Sequence, residues 1–219
     1  MNYKDYKGID TIILDFDGTI MDTNELILES WTYAIEKLTG EPADRHAVQS
    51  YFGETIEVTV PKLIPNHPYE ESVATYRSYQ YDNFLDNIRP FAGVREALPL
   101  FKEKDFKLAL VTSRLTNSTM MALDHFELTE YFDVIITADD TKIHKPDPTP
   151  VFMALDKVGS TADRALMVGD STFDIEAAKN AGAISVLVSY SVALPEEKRE
   201  AVAPDLIIDN IMDLFDLLP

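Results

Sequence analysis

The sequence predicts an α/β fold, a doubly wound parallel sheet with helices on both faces and an inserted α-helical cap. Short β-branched apolar segments alternate along the chain with segments of helical length. The apolar segments have the pattern of strands buried on both faces, as in parallel sheets. Between the first and second of them lies a long helical stretch without a convincing strand. The predicted strands are residues 11–14, 107–111, 134–137, 165–168, 184–188 and 206–208.

Prolines and glycines mark the ends of the helices between these strands. One helix is predicted to begin at Thr149-Pro150 and to end at Gly159. Another is predicted to begin at Ser171 and to end at Gly182. This alternation is typical of a Rossmann-like core.

The stretch of residues 21–88 predicts the inserted cap. Apolar residues recur in it at helical spacing up to Gly40. Pro61 falls inside a weaker middle segment, where a kink or break is expected. Short crossings near residues 22–23 and 89–93 suit a hinge. We therefore predict an α/β catalytic core of residues 1–20 and 89–219 and a helical cap of residues 21–88.

Composition and charge limit the classes of function. The 219 residues include no cysteine, which excludes a disulfide framework and a catalytic thiol. The formal charge of −19 repels nucleic acid and anionic membranes, and a small anionic substrate would need a local cation such as a metal ion. No apolar run approaches the ~20 residues that span a bilayer, and the N-terminus lacks a secretion signal. We expect a cytoplasmic protein without nucleic-acid or membrane partners, and no feature indicates an oligomeric state.

Two aspartates directly follow the first predicted strand, in the sequence Asp15-Phe16-Asp17-Gly18-Thr19. Ligands of open parallel sheets bind beyond the carboxyl ends of the strands, where both carboxylates lie. A turn at Gly18 can bring the second carboxylate beside the first. A carboxylate attacks a phosphate only with the help of cations, and Mg²⁺ prefers carboxylates, phosphate oxygens and water. The pair implies a Mg²⁺ site, unless both aspartates only cap a turn or helix.

Polar residues also follow the second and third strands. Thr112 and Ser113 supply hydroxyl groups and backbone donors suited to a phosphate, although such pairs also cap helices. Lys145 precedes Pro146 in a backbone that two prolines restrict. A lysine held there could neutralise a nucleophile and a phosphate, and the alternative is a solvated loop residue.

Two more aspartates follow the fourth strand. Asp170 lies at the strand end, where a metal ligand could complete a site begun by Asp15. Asp174 either supports that metal or forms a capping box with Ser171. The order in which these residues follow successive strands is a more specific indication of an active site than any one of the residues alone.

The motifs in this order resemble those of the haloacid dehalogenase-like superfamily, and the resemblance covers essentially the whole chain. It implies Mg²⁺-dependent hydrolysis of a small phosphorylated substrate through an aspartyl phosphate. It implies Asp15 as nucleophile and metal ligand, and Asp17 as general acid/base and as a metal ligand through its carbonyl. Thr112 and Ser113 would hold the phosphate, and Lys145 would bridge the phosphate and Asp15. Asp170 would bind Mg²⁺, and Asp174 would support the metal directly or through water.

Within the superfamily the chain is similar to phosphoglycolate phosphatases and pyrophosphatase-like proteins. This implies phosphoglycolate, pyrophosphate or a sugar phosphate as substrate, and the segment 52–55 and Lys62, Arg77 and Arg89 of the cap could face it. A sugar-phosphate mutase of the β-phosphoglucomutase type is disfavoured because Ile27 stands where that branch has a histidine. A receiver-like protein that accepts phosphate without turnover, and a binding protein that has lost catalysis, remain alternatives.

Overall fold

The computed structural model describes Tyr6, residues 8–194 and residues 196–218, with the backbone alone at residues 197 and 198. Within these residues the strands are β1 (Thr11–Leu14), β2 (Met21–Asp22), β3 (Arg89–Pro90), β4 (Lys107–Val111), β5 (Val134–Ile136), β6 (Ala165–Gly169), β7 (Ile184–Val188) and β8 (Leu206–Ile208). Six of them form a parallel sheet in the order β5-β4-β1-β6-β7-β8. The predicted α/β fold is confirmed.

The predicted strands are all present in this sheet. Four have the predicted bounds, while β5 ends one residue earlier, at Ile136, and β6 continues to Gly169. From β1 the chain forms β4 and β5 on one side, and then β6, β7 and β8 on the other. The winding therefore reverses beside β1, which is where doubly wound sheets bind their ligands.

Inserted between β2 and β3 are the helices α1 (Asn24–Thr39), α2 (Arg45–Gln49), α3 (Ile56–Leu63) and α4 (Tyr69–Asn83). They enclose an apolar cluster of their own, in which the ring centroids of Trp31 and Tyr76 are 4.2 Å apart. The short strands β2 and β3 pair antiparallel, so the chain enters and leaves this helical region side by side. The proposed division into core and cap at residues 20/21 and 88/89 stays a prediction.

Pro61 does not interrupt α3, where the sequence suggested a kink or break. The helix continues to Leu63, and the amide of Ile64 donates to the carbonyl of Val60 across the proline. Pro61 has no N–H to donate and its ring crowds the carbonyl four residues earlier, but the residues after it keep their N–H groups, and α3 ends within one turn of it.

The later helices are α5 (Val94–Glu103), α6 (Thr116–His125), α7 (Thr149–Val158), α8 (Thr172–Ala181), α9 (Glu196–Val202) and α10 (Leu214–Leu217). Alternate residues of β1 enter different apolar clusters, because neighbouring side chains of a strand point to opposite faces. Ile12 and Leu14 pack with Val94 and Leu98 of α5, whereas Ile13 packs with Val151 of α7. The sheet is therefore buried on both faces, as predicted.

The predicted helix ends agree with the structure. The helices α7 and α8 end at Gly159 and Gly182, both with the left-handed backbone that glycine adopts readily. Ser171 is the N-cap of α8. Among the described residues, no helix has the length and apolar content needed to cross a membrane.

Candidate active site

The carboxyl ends of the central strands meet in a cavity of about 360 Å³ that the inserted helices also line. Leu14 of β1 pairs with Leu110 of β4 and with Val168 of β6, so the residues following these strands reach one edge of the sheet. The seven residues to which the sequence assigns catalytic, phosphate-binding or metal-binding roles all line this cavity, namely Asp15, Asp17, Thr112, Ser113, Lys145, Asp170 and Asp174. The structure brings them together, while their individual roles stay predictions.

Lys145 is buried and connects two of the aspartates. Its Nζ atom donates to Oδ1 of Asp15 at 2.6 Å, to Oδ1 of Asp174 at 2.5 Å and to the carbonyl of Val111 at 3.2 Å. Burial by itself would lower the pKa of Lys145, but the two carboxylates outweigh it and raise this pKa. The lysine is thus a fixed ammonium ion and not a solvated loop residue.

Several carboxylates surround this single lysine, and the pKa values of Asp15 and Asp170 are raised. Burial, helped by the charges of Asp174 and Asp17, raises the pKa of Asp15 to about 7 although Lys145 opposes the shift. Burial and the neighbouring carboxylates also raise the pKa of Asp170 well above its usual range. The site therefore holds more negative charge than its lysine neutralises.

A metal ion fits this excess of charge. Oxygen atoms of Asp15, Asp170 and Asp174 lie within 4.8 Å of one another, and all three residues are buried. Oxygen ligands of this kind suit hard divalent cations. Close backbone approach helps to form the group, since a Cβ atom on Gly18 would lie 2.1 Å from Oδ2 of Asp170.

The sequence allowed two interpretations of Asp174, a helix cap or a residue of the metal site, and the structure shows which groups each of its oxygens contacts. Its Oδ2 accepts hydrogen bonds from the amide (3.0 Å) and hydroxyl (2.6 Å) of Ser171, which completes a capping box at the start of α8. Its Oδ1 accepts a hydrogen bond from Lys145, and the residue is one of the three acids of the group. Asp174 is therefore a helix cap whose second oxygen reaches the site.

Asp17 faces a different partner. The predicted turn at Gly18 is present, with a φ angle of 73° and a hydrogen bond from the Gly18 amide to the Met21 carbonyl. The carboxylate of Asp17 accepts hydrogen bonds from Arg114, at 2.8 Å from Nη2, and from the hydroxyl of Thr23 at 2.7 Å. It does not belong to the group of three carboxylates that could hold a metal ion.

Arg114 is the principal residue of the cavity that the sequence reasoning missed. It is buried, lines the cavity, and also donates from Nε to Asp17 at 3.0 Å. Its guanidinium lies over the rings of Phe84 (4.8 Å) and Phe16 (5.6 Å). Its place directly after Thr112-Ser113 was a signal, but an arginine after a strand is usually solvated, and only the tertiary contacts show its burial.

Two hydroxyl residues follow β4, Thr112 and Ser113, and their predicted role in holding a phosphate stays a prediction. Thr112 is buried, and its Oγ1 accepts the amide hydrogen of Arg114 at 3.1 Å. Ser113 lines the same cavity and is half-buried.

The inserted helices supply the opposite wall of the cavity. Trp31 of α1 and Tyr76, Arg77 and Gln80 of α4 line it, together with the loop before α3. Gly53 of this loop approaches the core so closely that a Cβ atom there would lie 2.8 Å from the Cβ of Ser171.

Of the three cations that the sequence suggested could face the substrate, one lines the cavity and two do not. Arg77 lines the cavity. Lys62 instead binds Glu54 at 2.8 Å, and Arg89 is exposed and lies 3.3 Å from Asp22. Neither Lys62 nor Arg89 lines the cavity.

The fold and the site together define a phosphatase of the haloacid dehalogenase-like hydrolase family, and comparison with known proteins shows this membership. Residues 12–188 match the family, described as haloacid dehalogenase-like hydrolase. The chain belongs to it.

Comparison with individual proteins shows which members of this family the chain is similar to. The chain is 39% identical over 212 residues to a protein of Caldanaerobacter subterraneus subsp. tengcongensis provisionally named pyrophosphatase PpaX, covering 96% of this chain and 94% of that one. It is 33% identical over 210 residues to pyrophosphatase PpaX of Halalkalibacterium halodurans, covering 96% and 97%. The crystal structure of a predicted phosphoglycolate phosphatase from Haemophilus somnus has the same fold, with a TM-score of 0.86 at 23% identity and coverage of 96% and 98%.

Proposed function

We propose that this protein is a Mg²⁺-dependent phosphatase that hydrolyses a small phosphorylated metabolite through an aspartyl phosphate on Asp15. Pyrophosphate is the leading substrate, because the relatives with 39% and 33% identity carry the name pyrophosphatase. Phosphoglycolate and sugar phosphates are the further candidates.

The observation that carries this proposal is the position of Asp15 within its charged surroundings. Lys145 binds Oδ1 of Asp15, and in the described chain no donor binds the other oxygen, Oδ2. Lys145 thereby orients the carboxylate and leaves one oxygen free to attack. Asp15 and Asp170 would hold Mg²⁺ with the support of Asp174, and the ion would neutralise the phosphoryl oxygens.

The chemistry then has two steps. Oδ2 of Asp15 forms a bond to phosphorus while the bond to the leaving oxygen breaks, and Asp17 gives that oxygen a proton. Water next attacks phosphorus, Asp17 accepts its proton, and Asp15 is released. Thr112, Ser113 and Lys145 hold the phosphoryl group during both steps.

Residues 21–88 act as a cap over this chemistry. The paired strands β2 and β3 connect the cap to the core, and the cavity has walls from both. Movement about these crossings would admit substrate and then exclude water.

The test is phosphate release in the presence of Mg²⁺ from pyrophosphate, phosphoglycolate and hexose phosphates, by wild type and Asp15→Asn in parallel. Release by wild type alone supports the proposal and ranks the substrates. Interconversion of hexose phosphates without release would indicate a mutase instead. A phosphorylated protein that accumulates without turnover would indicate a receiver, and absence of all three outcomes a binding protein.

A further inference from the structure

We propose that Arg114 determines specificity by binding an anionic leaving group, such as the second phosphate of pyrophosphate. This inference rests on the proposed function. It concerns the leaving-group side of the cavity, to which the sequence motifs assign the proton donor Asp17 and no cation.

The position of Arg114 follows from its bonds to Asp17. Asp17 is the proposed proton donor to the leaving oxygen, so a group that contacts its carboxylate lies on the leaving-group side. The guanidinium of Arg114 contacts Asp17 through both Nε (3.0 Å) and Nη2 (2.8 Å). Its charge is therefore next to the atom that departs.

Arg114 is also held firmly in place. The ring of Phe16 from the core and the ring of Phe84, which follows α4, lie beside its guanidinium. Its side chain is only 6% exposed. A guanidinium packed in this way presents its donors in a fixed plane, which suits bidentate binding of a phosphate.

The charges of the cavity create a need for such a cation. The lining includes many carboxylates, namely Asp15, Asp17, Asp139, Asp170, Asp174, Glu54 and Glu57. Lys145 is committed to Asp15 and Asp174 on the nucleophile side. Without a further cation, these carboxylates would repel a leaving group that carries its own negative charge.

Arg114 retains donors for this purpose. Of its three nitrogens, Nε and Nη2 bind Asp17, and no residue of the described chain accepts a hydrogen bond from Nη1. Nη1 is not among the buried polar atoms that lack a partner, so it has access to the cavity or to solvent. An arriving phosphate can therefore bind it without displacing Asp17.

The competing interpretation is that Arg114 only positions Asp17. The two interpretations differ in their dependence on the leaving group. Positioning affects every substrate that needs a proton from Asp17, whereas direct binding affects only substrates whose leaving group is an anion.

The experiment compares kcat/KM for pyrophosphate and for phenyl phosphate, whose leaving group carries no second phosphate. We expect Arg114→Met to lower kcat/KM for pyrophosphate by about 10- to 100-fold more than for phenyl phosphate, as the loss of charge-assisted hydrogen bonds implies. Arg114→Lys keeps the charge but not the planar donors, so its selective loss should be smaller. Because removal of a buried charge can impair folding, this second variant keeps the comparison valid if Arg114→Met does not fold.

Arg95→Met is the matched control, since Arg95 lies on α5 outside the cavity and donates to the carbonyl of Phe126. It should leave both substrates unaffected. Equal losses on both substrates in the Arg114 variants would overturn the inference alone. A selective loss in Arg77→Met with none in the Arg114 variants would also overturn it. Absence of turnover by wild type on both substrates would overturn the proposed function, and this inference with it.

Discussion

The ion pairs at the edge of the sheet are buried, whereas those of Arg45 in the inserted helices are exposed to solvent. At the edge, Lys145 is bound to two carboxylates, and the side chains of all three residues are at most 7% exposed. In the inserted helices, Arg45 binds Glu25 and Glu29 with side chains that are 39–71% exposed. Exposed pairs contribute little to stability, whereas each member of a buried pair is costly to leave alone. Breaking the buried ion pairs at the edge of the sheet should therefore cost far more stability than breaking these exposed pairs of the inserted helices.

The largest effect is expected at Asp15, the proposed nucleophile. Asp15→Asn should lower kcat by about 1,000-fold or more, because an amide cannot form the aspartyl phosphate. The fold should survive, since the change removes a carboxylate whose charge is disfavoured by burial. Phosphate release and thermal unfolding measure the two effects.

Asp10→Asn is the control at the other end of β1. Asp10 accepts hydrogen bonds from Ser160 and lies 2.6 Å from Nη2 of Arg164, away from the cavity. This variant should keep its turnover. A comparable loss of activity in both variants would show that any change along β1 disables the protein.

Lys145→Met should lower the stability of the fold as well as the activity. The change leaves Asp15 and Asp174 without their shared cation and should lower the free energy of unfolding by about 3–5 kcal/mol in metal-free protein at pH 8. Chemical denaturation measures this value. Lys62→Met, which breaks the half-exposed pair with Glu54, should cost about 1 kcal/mol or less. Equal costs for the two variants would contradict the contrast between core and helices.

Metal binding should depend on pH through the same acids. The pKa of Asp15 is raised to about 7 in the folded, metal-free protein, so the folded state binds more protons than the unfolded state between pH 4 and 7. Its contribution to the free energy of unfolding therefore falls as pH rises through this window. Mg²⁺ requires the ionised carboxylates, so it should raise the Tm clearly at pH 8 and little at pH 5.5.

Thermal unfolding with Mg²⁺ and with a chelator at both pH values measures this dependence. Asp170→Asn should reduce the Mg²⁺ effect at pH 8. An equal rise in Tm at both pH values would show that the ion binds elsewhere on this acidic protein.

The smallest effect concerns the contact between the helices and the core. Gly53 and Gly40 both have positive φ angles, 86° and 73°, so alanine should cost each about 1 kcal/mol. Only at Gly53 would the new methyl group meet the core, at Ser171, whereas Gly40 has open space. Gly53→Ala should therefore lower kcat/KM several-fold more than Gly40→Ala. Equal kinetics in the two variants would show that this approach of the loop to the core is irrelevant to turnover.

Much of this architecture could be predicted because its signals are local. Residues 11–14 form a short, β-branched and mostly apolar run of the kind that favours a strand, and they appear as β1 without a change of bounds. Pro61 shows the limit of local signals. The helix α3 continues past it to Leu63, and the amide of Ile64 still donates to the carbonyl of Val60.

The sequence alone indicated the six strands of the parallel sheet, the inserted helical region and the set of acids at the strand ends, because apolar periodicity and short motifs are properties of neighbouring residues. It did not indicate the short strands β2 and β3, whose pairing joins segments far apart in the chain. It also indicated that Asp174 could cap a helix or face the site. Only the tertiary structure decided that Asp174 does both, and that Arg114 turns inward to Asp17, which lies 97 positions away. A charged side chain such as that of Arg114 is buried only when segments distant in the chain pack around it. The residues next to it in the sequence do not show whether they will.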